Sequence, residues 1–248
     1  WLEYLHRLLG RIIGLVYFVP FIWFLVRYHV SKQLQVRFSF LLVLGTAQGF
    51  LGWYTVKSGL IDEPSVDHYR LAAHLGLAVV IYGILLFTLI GIGNHGKIEV
   101  PVNSTKLLTS LVFLTILWGA FVSGLDGGTV YNTFPLMNGY IIPPESMQLK
   151  PIWLNLFENI SLVQFVHRIL GFTTTAFAIV LVFKFHSKGG WILRLPFIFL
   201  VIQLFLGAAT VLTAASIYIA WAHQAMALLV FSACITLWRY SIPVSDLD

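Results

Sequence analysis

Four histidines occupy matching places in two parts of the 248-residue chain: His6, His74, His167 and His223. EYLHRLLG around His6 echoes QFVHRILG around His167, and LAAHLGLAVVIYG around His74 aligns with IAWAHQAMALLVF around His223. Imidazole is a common axial ligand of haem iron, and two imidazoles that face each other from neighbouring helices make a six-coordinate site. The pattern therefore predicts two haem sites, one in each part of the chain.

The residue four positions after each histidine is small and lies one helical turn away on the same face. These residues are Gly10, Ala78, Gly171 and Ala227. A porphyrin between two helices needs such room beside its ligand. Small residues also let membrane helices pack closely, which explains any single pair equally well. Four symmetric pairs favour haem, and the sequence lacks the compact ligand spacings of zinc or di-iron sites.

The two histidine phrases differ at one ionisable position. Glu3 lies one turn before His6, whereas Gln164 holds the matching place before His167. A carboxylate beside a cofactor acts as a base or stabilises developing positive charge, so the mismatch predicts one catalytic site and one electron-transfer or structural site. In the alternative interpretation, Glu3 is an interfacial residue at a helix N-terminus, where negative charge is favoured.

An arginine follows the histidine in both phrases, Arg7 in the first and Arg168 in the second. Each is a candidate for a charge-assisted hydrogen bond to a haem propionate. Each is equally able to extend its side chain to lipid phosphates.

The elements that must position these residues are membrane helices. The chain is 58% hydrophobic and only 10% charged, against about a quarter charged in soluble domains. Its scattered basic residues exclude a nucleic-acid-binding face. We predict an all-α polytopic membrane protein, because seven apolar runs approach or exceed the roughly 20 residues of a span. The runs are 3–27, 38–56, 69–93, 107–125, 160–184, 194–213 and 218–239.

The echoes predict a parallel repeat in which the first three helices match the last three. The helix at 107–125 has no partner, so a duplicated four-helix unit predicts a further helix ahead of Trp1. The seven helices would then come from two four-helix repeats with the first helix missing. We divide the chain into an N-terminal half-bundle, 1–98, and a C-terminal half-bundle, 99–248.

Lys and Arg concentrate in alternate loops, whereas the loops at 57–67 and 126–158 are richer in Asp and Glu. The basic residues are Arg27, Lys32, Arg37, Lys97, Lys106, Lys184, Lys188, Arg194 and Arg239. The positive-inside rule predicts an inner C-terminus and histidines near the outer face. The long loop (residues 126–158) mixes Gly, Pro and aromatic residues, so it either covers the sites or rests on lipid headgroups.

Four segments carry a resemblance to a known family: EYLHRLLGRIIGLVY, VKSGLIDEPSVDHYRLAAHLGL, GAFVSGLDGGTVYNTFPLMNG and QFVHRILG. They resemble the haem A synthase (Cox15/CtaA) family and are most similar to its mitochondrial and alphaproteobacterial branch. The resemblance implies an oxidoreductase that converts a methyl group of haem O to the formyl group of haem A, for cytochrome oxidase.

The resemblance also implies roles for individual residues. His6 and His74 would hold the haem O substrate or haem A product, and His167 and His223 would hold a haem b. Glu3 would take part in the chemistry. Because two histidines leave no open iron position, we expect water as the oxygen source and a stepwise withdrawal of electrons.

The resemblance implies a location in a bacterial plasma membrane or a mitochondrial inner membrane. The resemblance implies haem O synthase and cytochrome oxidase assembly factors as partners, together with an electron acceptor of unknown identity and a homo-oligomer. A di-haem cytochrome b electron-transfer subunit remains the alternative function. It would bind only haem b.

Overall fold

Long helices follow the apolar runs of the sequence in the computed structural model. The structure describes residues 1–28, 30–59, 67–93 and 98–242. Asp62 and Glu63 of the acidic loop, together with His29, His95 and Lys97, lie outside the described residues. The helices are α1 Leu2–Arg27, α2 Lys32–Gly59, α3 His68–Ile92, α4 Val102–Gly124, α5 Asn155–Glu158, α6 Ile160–Leu212 and α7 Ile217–Ser241.

Every regular element within the described ranges is helical, and an isolated bridge between Met137 and Tyr140 is the nearest approach to a strand there. Six helices of the described part are long and apolar enough to cross a membrane. The all-α fold and the assignment to integral membrane proteins are thereby confirmed. The sequence predicts seven membrane helices, whereas six continuous helical elements of that length and hydropathy lie within the described residues.

The difference lies in α6, whose 53 residues include both runs predicted at 160–184 and 194–213. Two residues inside it leave helical geometry: Phe185 has φ −124° and ψ 21°, and Gly190 has φ 55° and ψ −147°. Positive φ is accessible to glycine at little steric cost, so Gly190 is suited to this break. The sequence therefore marks the apolar runs correctly, and α6 consists of two helical segments that meet at a short kink.

The chain divides into two compact units, Trp1–Val66 and Asp67–Asp248. In the first unit, the Tyr17 hydroxyl of α1 donates a hydrogen bond of 2.8 Å to the Phe38 carbonyl of α2. The ring of Phe21 packs against that of Phe38. The predicted half-bundles, 1–98 and 99–248, follow the sequence repeat and stay a prediction.

In the second unit, α3, α4, α6 and α7 pack around an apolar core. Hydrogen bonds between helices supplement this packing, as is common in membrane bundles. Thr105 and Ser241 join α4 to α7 at 2.8 Å, and the Tyr82 and Ser232 hydroxyls join α3 to α7 at 2.7 Å. The core is thus held by side chains from all four helices.

Candidate haem-binding site

The four repeated histidines all lie near the N-termini of long helices. His6 is in α1, His74 in α3, His167 in α6 and His223 in α7, each within the first eight residues of its helix. His6 belongs to the first compact unit and His74 to the second, so their pairing stays a prediction. His167 and His223 belong to one unit and can be compared directly.

The rings of His167 and His223 approach each other from α6 and α7. Their centroids are 6.4 Å apart and their planes are nearly perpendicular, at 80°. Two imidazole nitrogens, each about 2 Å from one metal ion, bring the ring centres to about 6 Å apart. The observed separation therefore suits an iron ion held between the two rings.

The orientation of His167 is fixed by α4. Its Nδ1 lies 3.0 Å from the carbonyl oxygen of Thr115. Because a carbonyl only accepts hydrogen bonds, Nδ1 carries the proton and Nε2 keeps its lone pair. A metal-bound histidine typically donates its other N–H in this way, which sets both the tautomer and the ring orientation.

His223 has a different neighbour, Gln203 of α6. The side-chain nitrogen of Gln203 lies 3.4 Å from His223 Nε2. Two atoms of this pair, His223 Nδ1 and Gln203 Oε1, are buried and lack a hydrogen-bond partner. Buried polar atoms without partners are rare in folded proteins. Their presence beside the paired rings fits a site built to hold a further group.

A small apolar cavity of about 40 Å³ lies between α4, α6 and α7. Gly171 and Ala227, the small residues one turn beyond His167 and His223, both line it. Thr115 and Gln203, which contact the two rings, also line it. The small residues thus leave some space next to the histidine pair, and the two facing imidazoles are a donor set that fits a haem iron.

The structure gives Gln164 a role that a carboxylate would not fulfil. Its side chain is 2% exposed, and its Nε2 donates a hydrogen bond of 2.8 Å to the Gly127 carbonyl. Its Oε1 accepts a hydrogen bond of 3.2 Å from Arg168. An ionised glutamate only accepts hydrogen bonds, so it would face the Gly127 carbonyl without a proton to share.

Glu3, at the matching place in the first phrase, has different surroundings. It is exposed and forms an ion pair with Arg7, one turn along α1. Both phrases therefore link the residue before the histidine to the arginine after it. Only the first phrase makes this link with a titratable group.

Arg168 anchors the long loop by binding a series of backbone carbonyls. Its Nη2 donates to Tyr131 O at 2.8 Å. Its Nη1 lies within 3.5 Å of three further acceptors: Thr133 O, Pro135 O and Leu136 O. Its role as a propionate partner stays a prediction, as does that of Arg7.

The long loop forms an ordered layer of short helical turns and side-chain hydrogen bonds. Asn132 Nδ2 donates to Val211 O near the end of α6 at 2.9 Å. Asn159 Nδ2 donates to Glu145 O at 2.8 Å. Tyr131 donates to the Glu145 carboxylate, which lowers the pKa of that carboxyl, and burial raises the pKa of the Tyr131 phenol. The loop is thus fastened to both segments of α6.

The sequence shows Gln164 only as the amide counterpart of Glu3, and its contact with Gly127 is not predicted. Thr115 and Gly119 of α4 are missed altogether, because helix four has no partner in the repeat. Gln203 and Gly207 carry a signal, since IQLFLGAATV echoes AQGFLGWYTV, but the echo does not indicate contact with a histidine.

Replacing Arg168 with glutamine should loosen the part of the long loop that it binds. Hydrogen bonds to charged groups contribute about 1.5–3 kcal/mol each, and each 1.4 kcal/mol is about a tenfold change in an opening equilibrium. We expect amide hydrogen exchange at residues 127–136 to accelerate about tenfold or more, measured by mass spectrometry. Gln164→Glu should accelerate exchange around Gly127.

The matched control is Lys188→Gln, which removes a cation whose salt bridge is to Glu99. Its exchange at residues 127–136 should equal that of the unmodified protein. Unchanged exchange in Arg168→Gln would show that the carbonyl contacts do not hold the loop.

Comparison with known proteins places the chain in one family. Residues 1–235 match the COX15-CtaA model, described as cytochrome oxidase assembly protein. The chain is 41% identical over 247 residues to "Heme A synthase" of Nitrosospira multiformis, covering 95% of this chain and 69% of the relative. It is 39% identical to "Heme A synthase" of Wolbachia pipientis wMel, covering 94% and 67%. For "Heme A synthase" of Rhodospirillum centenum, the identity is 43% and the coverage 91% and 63%.

Proposed function

The chain belongs to the COX15-CtaA family of cytochrome oxidase assembly proteins, and from that membership we propose that it acts as a haem A synthase. Relatives that match over more than nine-tenths of this chain carry that name. The reaction proposed is oxidation of a methyl group of haem O to the formyl group of haem A. The protein is then an enzyme of haem biosynthesis that serves cytochrome oxidase assembly.

The observation that carries the proposal is the His167–His223 pair, with ring centroids 6.4 Å apart beside an apolar cavity. We assign this pair to a haem b, with His167 bound through Nε2 because Nδ1 is engaged by Thr115. The haem b, when bound, would supply one-electron transfer. His6 and His74 are assigned to the substrate haem O, as the family resemblance implies.

Glu3 is the proposed proton acceptor of the reaction. With water as the oxygen source, conversion of a methyl to a formyl group releases protons and electrons in equal numbers. A carboxylate held next to the reacting group would take up a proton from the entering water. Glu3 is exposed and forms an ion pair with Arg7 one turn along α1.

We propose that α6 crosses the membrane twice. A straight helix of its 53 residues would be about 80 Å long, and the hydrocarbon core of a bilayer is about 30 Å thick. Lys188 lies between Phe185 and Gly190, and Lys184 and Arg194 lie on either side of this break. The positive-inside rule then places this break and the C-terminus inside and the histidines near the outer face.

The proposed partners follow from the same assignment. A haem O synthase would supply the substrate, and cytochrome oxidase assembly factors would receive the product. A homo-oligomer in a bacterial plasma membrane or mitochondrial inner membrane is part of the proposal.

The test is to purify the protein from cells that make haem O and identify its extracted haems by chromatography and mass spectrometry. We expect haem b together with haem O, haem A or a hydroxylated intermediate. Haem b alone would contradict the proposal and support the di-haem cytochrome b. Absence of any haem would contradict both functions.

A further inference from the structure

Building on the proposed function, we propose that Gly119 and Gly207 are positioning residues that set the ring orientations of the two haem b ligands. A Cβ atom built on Gly119 would lie 3.1 Å from His167 Cε1. A Cβ atom built on Gly207 would lie 3.1 Å from His223 Cε1. Each imidazole therefore rests edge-on against a glycine of another helical segment.

The two contacts match in detail. A Cβ built on Gly119 would lie 3.6 and 3.9 Å from the Nδ1 and Nε2 atoms of His167. A Cβ built on Gly207 would lie 3.7 and 3.9 Å from the same atoms of His223. The same ring edge thus faces the glycine in both cases, although one glycine is on α4 and the other on α6.

A second contact accompanies each glycine, one turn earlier on the same helix. Thr115, four residues before Gly119, binds His167 through its carbonyl. Gln203, four residues before Gly207, lies against His223 through its side chain. Without a Cβ, the glycine lets the ring come close to the helix backbone and reach this second contact. Each ligand is therefore supported at two points.

The two glycine contacts influence the angle between the imidazole planes, a property to which a bound iron would respond. The planes of the two rings are 80° apart, and each ring is turned by the helix on which it rests. A methyl group at 3.1 Å from Cε1 would force the ring to tilt or shift by a few tenths of an ångström. The angle between the two imidazole planes would change, while one nitrogen of each ring would still be able to bind the iron.

The experiment introduces Gly119→Ala and Gly207→Ala separately into the full chain, produced in cells that make haem b but no haem O. The EPR spectrum of low-spin ferric haem reports the angle between its axial imidazole planes. We expect a shifted low-spin signal in both variants, and about a tenfold or greater loss of haem b affinity, as for other residues that orient metal ligands.

Gly83→Ala is the matched control. A Cβ at Gly83 would also lie 3.1 Å from an aromatic ring edge, that of Phe231, between α3 and α7. Its spectrum should equal that of the unmodified protein. Equal shifts in all three variants would assign the effect to general helix packing and overturn the proposal, as would unchanged spectra in Gly119→Ala and Gly207→Ala.

If Gly207→Ala fails to fold, the same substitution is tested in a His223→Ala background. In a His223→Ala background the ring is gone, so adding Gly207→Ala should leave the folded yield unchanged. A loss of yield that persists there would mean that Gly207 serves helix packing alone. If the unmodified protein binds haem b but the glycine substitutions change neither the EPR spectrum nor the haem b affinity, only this inference fails. If it binds no haem, the proposed function fails.

Discussion

We expect haem b to be lost when either His167 or His223 is replaced by alanine. Each substitution removes one of two imidazoles that lie 6.4 Å apart, and the remaining one cannot hold the iron from both sides. Residues that only orient a metal ligand contribute about 10–100-fold to affinity. Loss of a ligand itself should therefore cost about 100-fold or more, measured as haem b per chain after purification.

His186→Ala is the matched control for both substitutions. It removes an exposed histidine of the same helix, whose Nδ1 lies 3.3 Å from the Phe183 carbonyl. Its haem b content should equal that of the unmodified protein. The substrate haem should survive in His167→Ala and His223→Ala, since it is assigned to His6 and His74. Full retention of haem b in either variant would remove that histidine from the ligand set.

Glu3→Gln should stall turnover while both haems stay bound. Glutamine keeps nearly the shape of glutamate but cannot accept a proton, and it is the residue found at the matching place, Gln164. Loss of a general base typically lowers a rate by about 10²–10⁴-fold. We expect the ratio of haem A to haem O in cell extracts to fall accordingly, with haem b per chain unchanged.

The control for this prediction is Glu99→Gln, an exposed carboxylate whose salt bridge is to Lys188. It should leave the ratio of haem A to haem O unaltered. Normal haem A production by Glu3→Gln would exclude Glu3 from proton transfer. Glu3 would then serve only to pair with Arg7 at the start of α1.

The predictable part of the fold is the part determined by local composition. The apolar runs gave α1, α3, α4 and α7 to within a few residues, because length and hydropathy decide where a membrane helix can form. The run predicted at 38–56 is longer in the structure, as Lys32–Gly59. Its first turns are polar and carry Lys32 and Arg37, so hydropathy alone places its start too late.

The unpredicted part depends on contacts between distant residues. Gln164 differs from Glu3 by one amide, and the sequence alone suggests only a lost charge. Its partner, the Gly127 carbonyl, is 37 residues away in the chain. The contact of Gly119 with His167 joins two helices in the same way. Such roles become visible only when the helices are packed.

The position of the break in α6 also sets the heights of residues at the proposed haem site. His167 lies 18 residues before Phe185, and Gly207 lies 17 residues after Gly190. At 1.5 Å per residue, the two arms measure roughly 27 and 26 Å, so they end at nearly the same height. Inserting one residue in either arm would raise its end by about 1.5 Å and turn it by about 100°. The nearly equal lengths of the two segments thus keep His167, one proposed iron ligand, level with Gly207, which lies against the other.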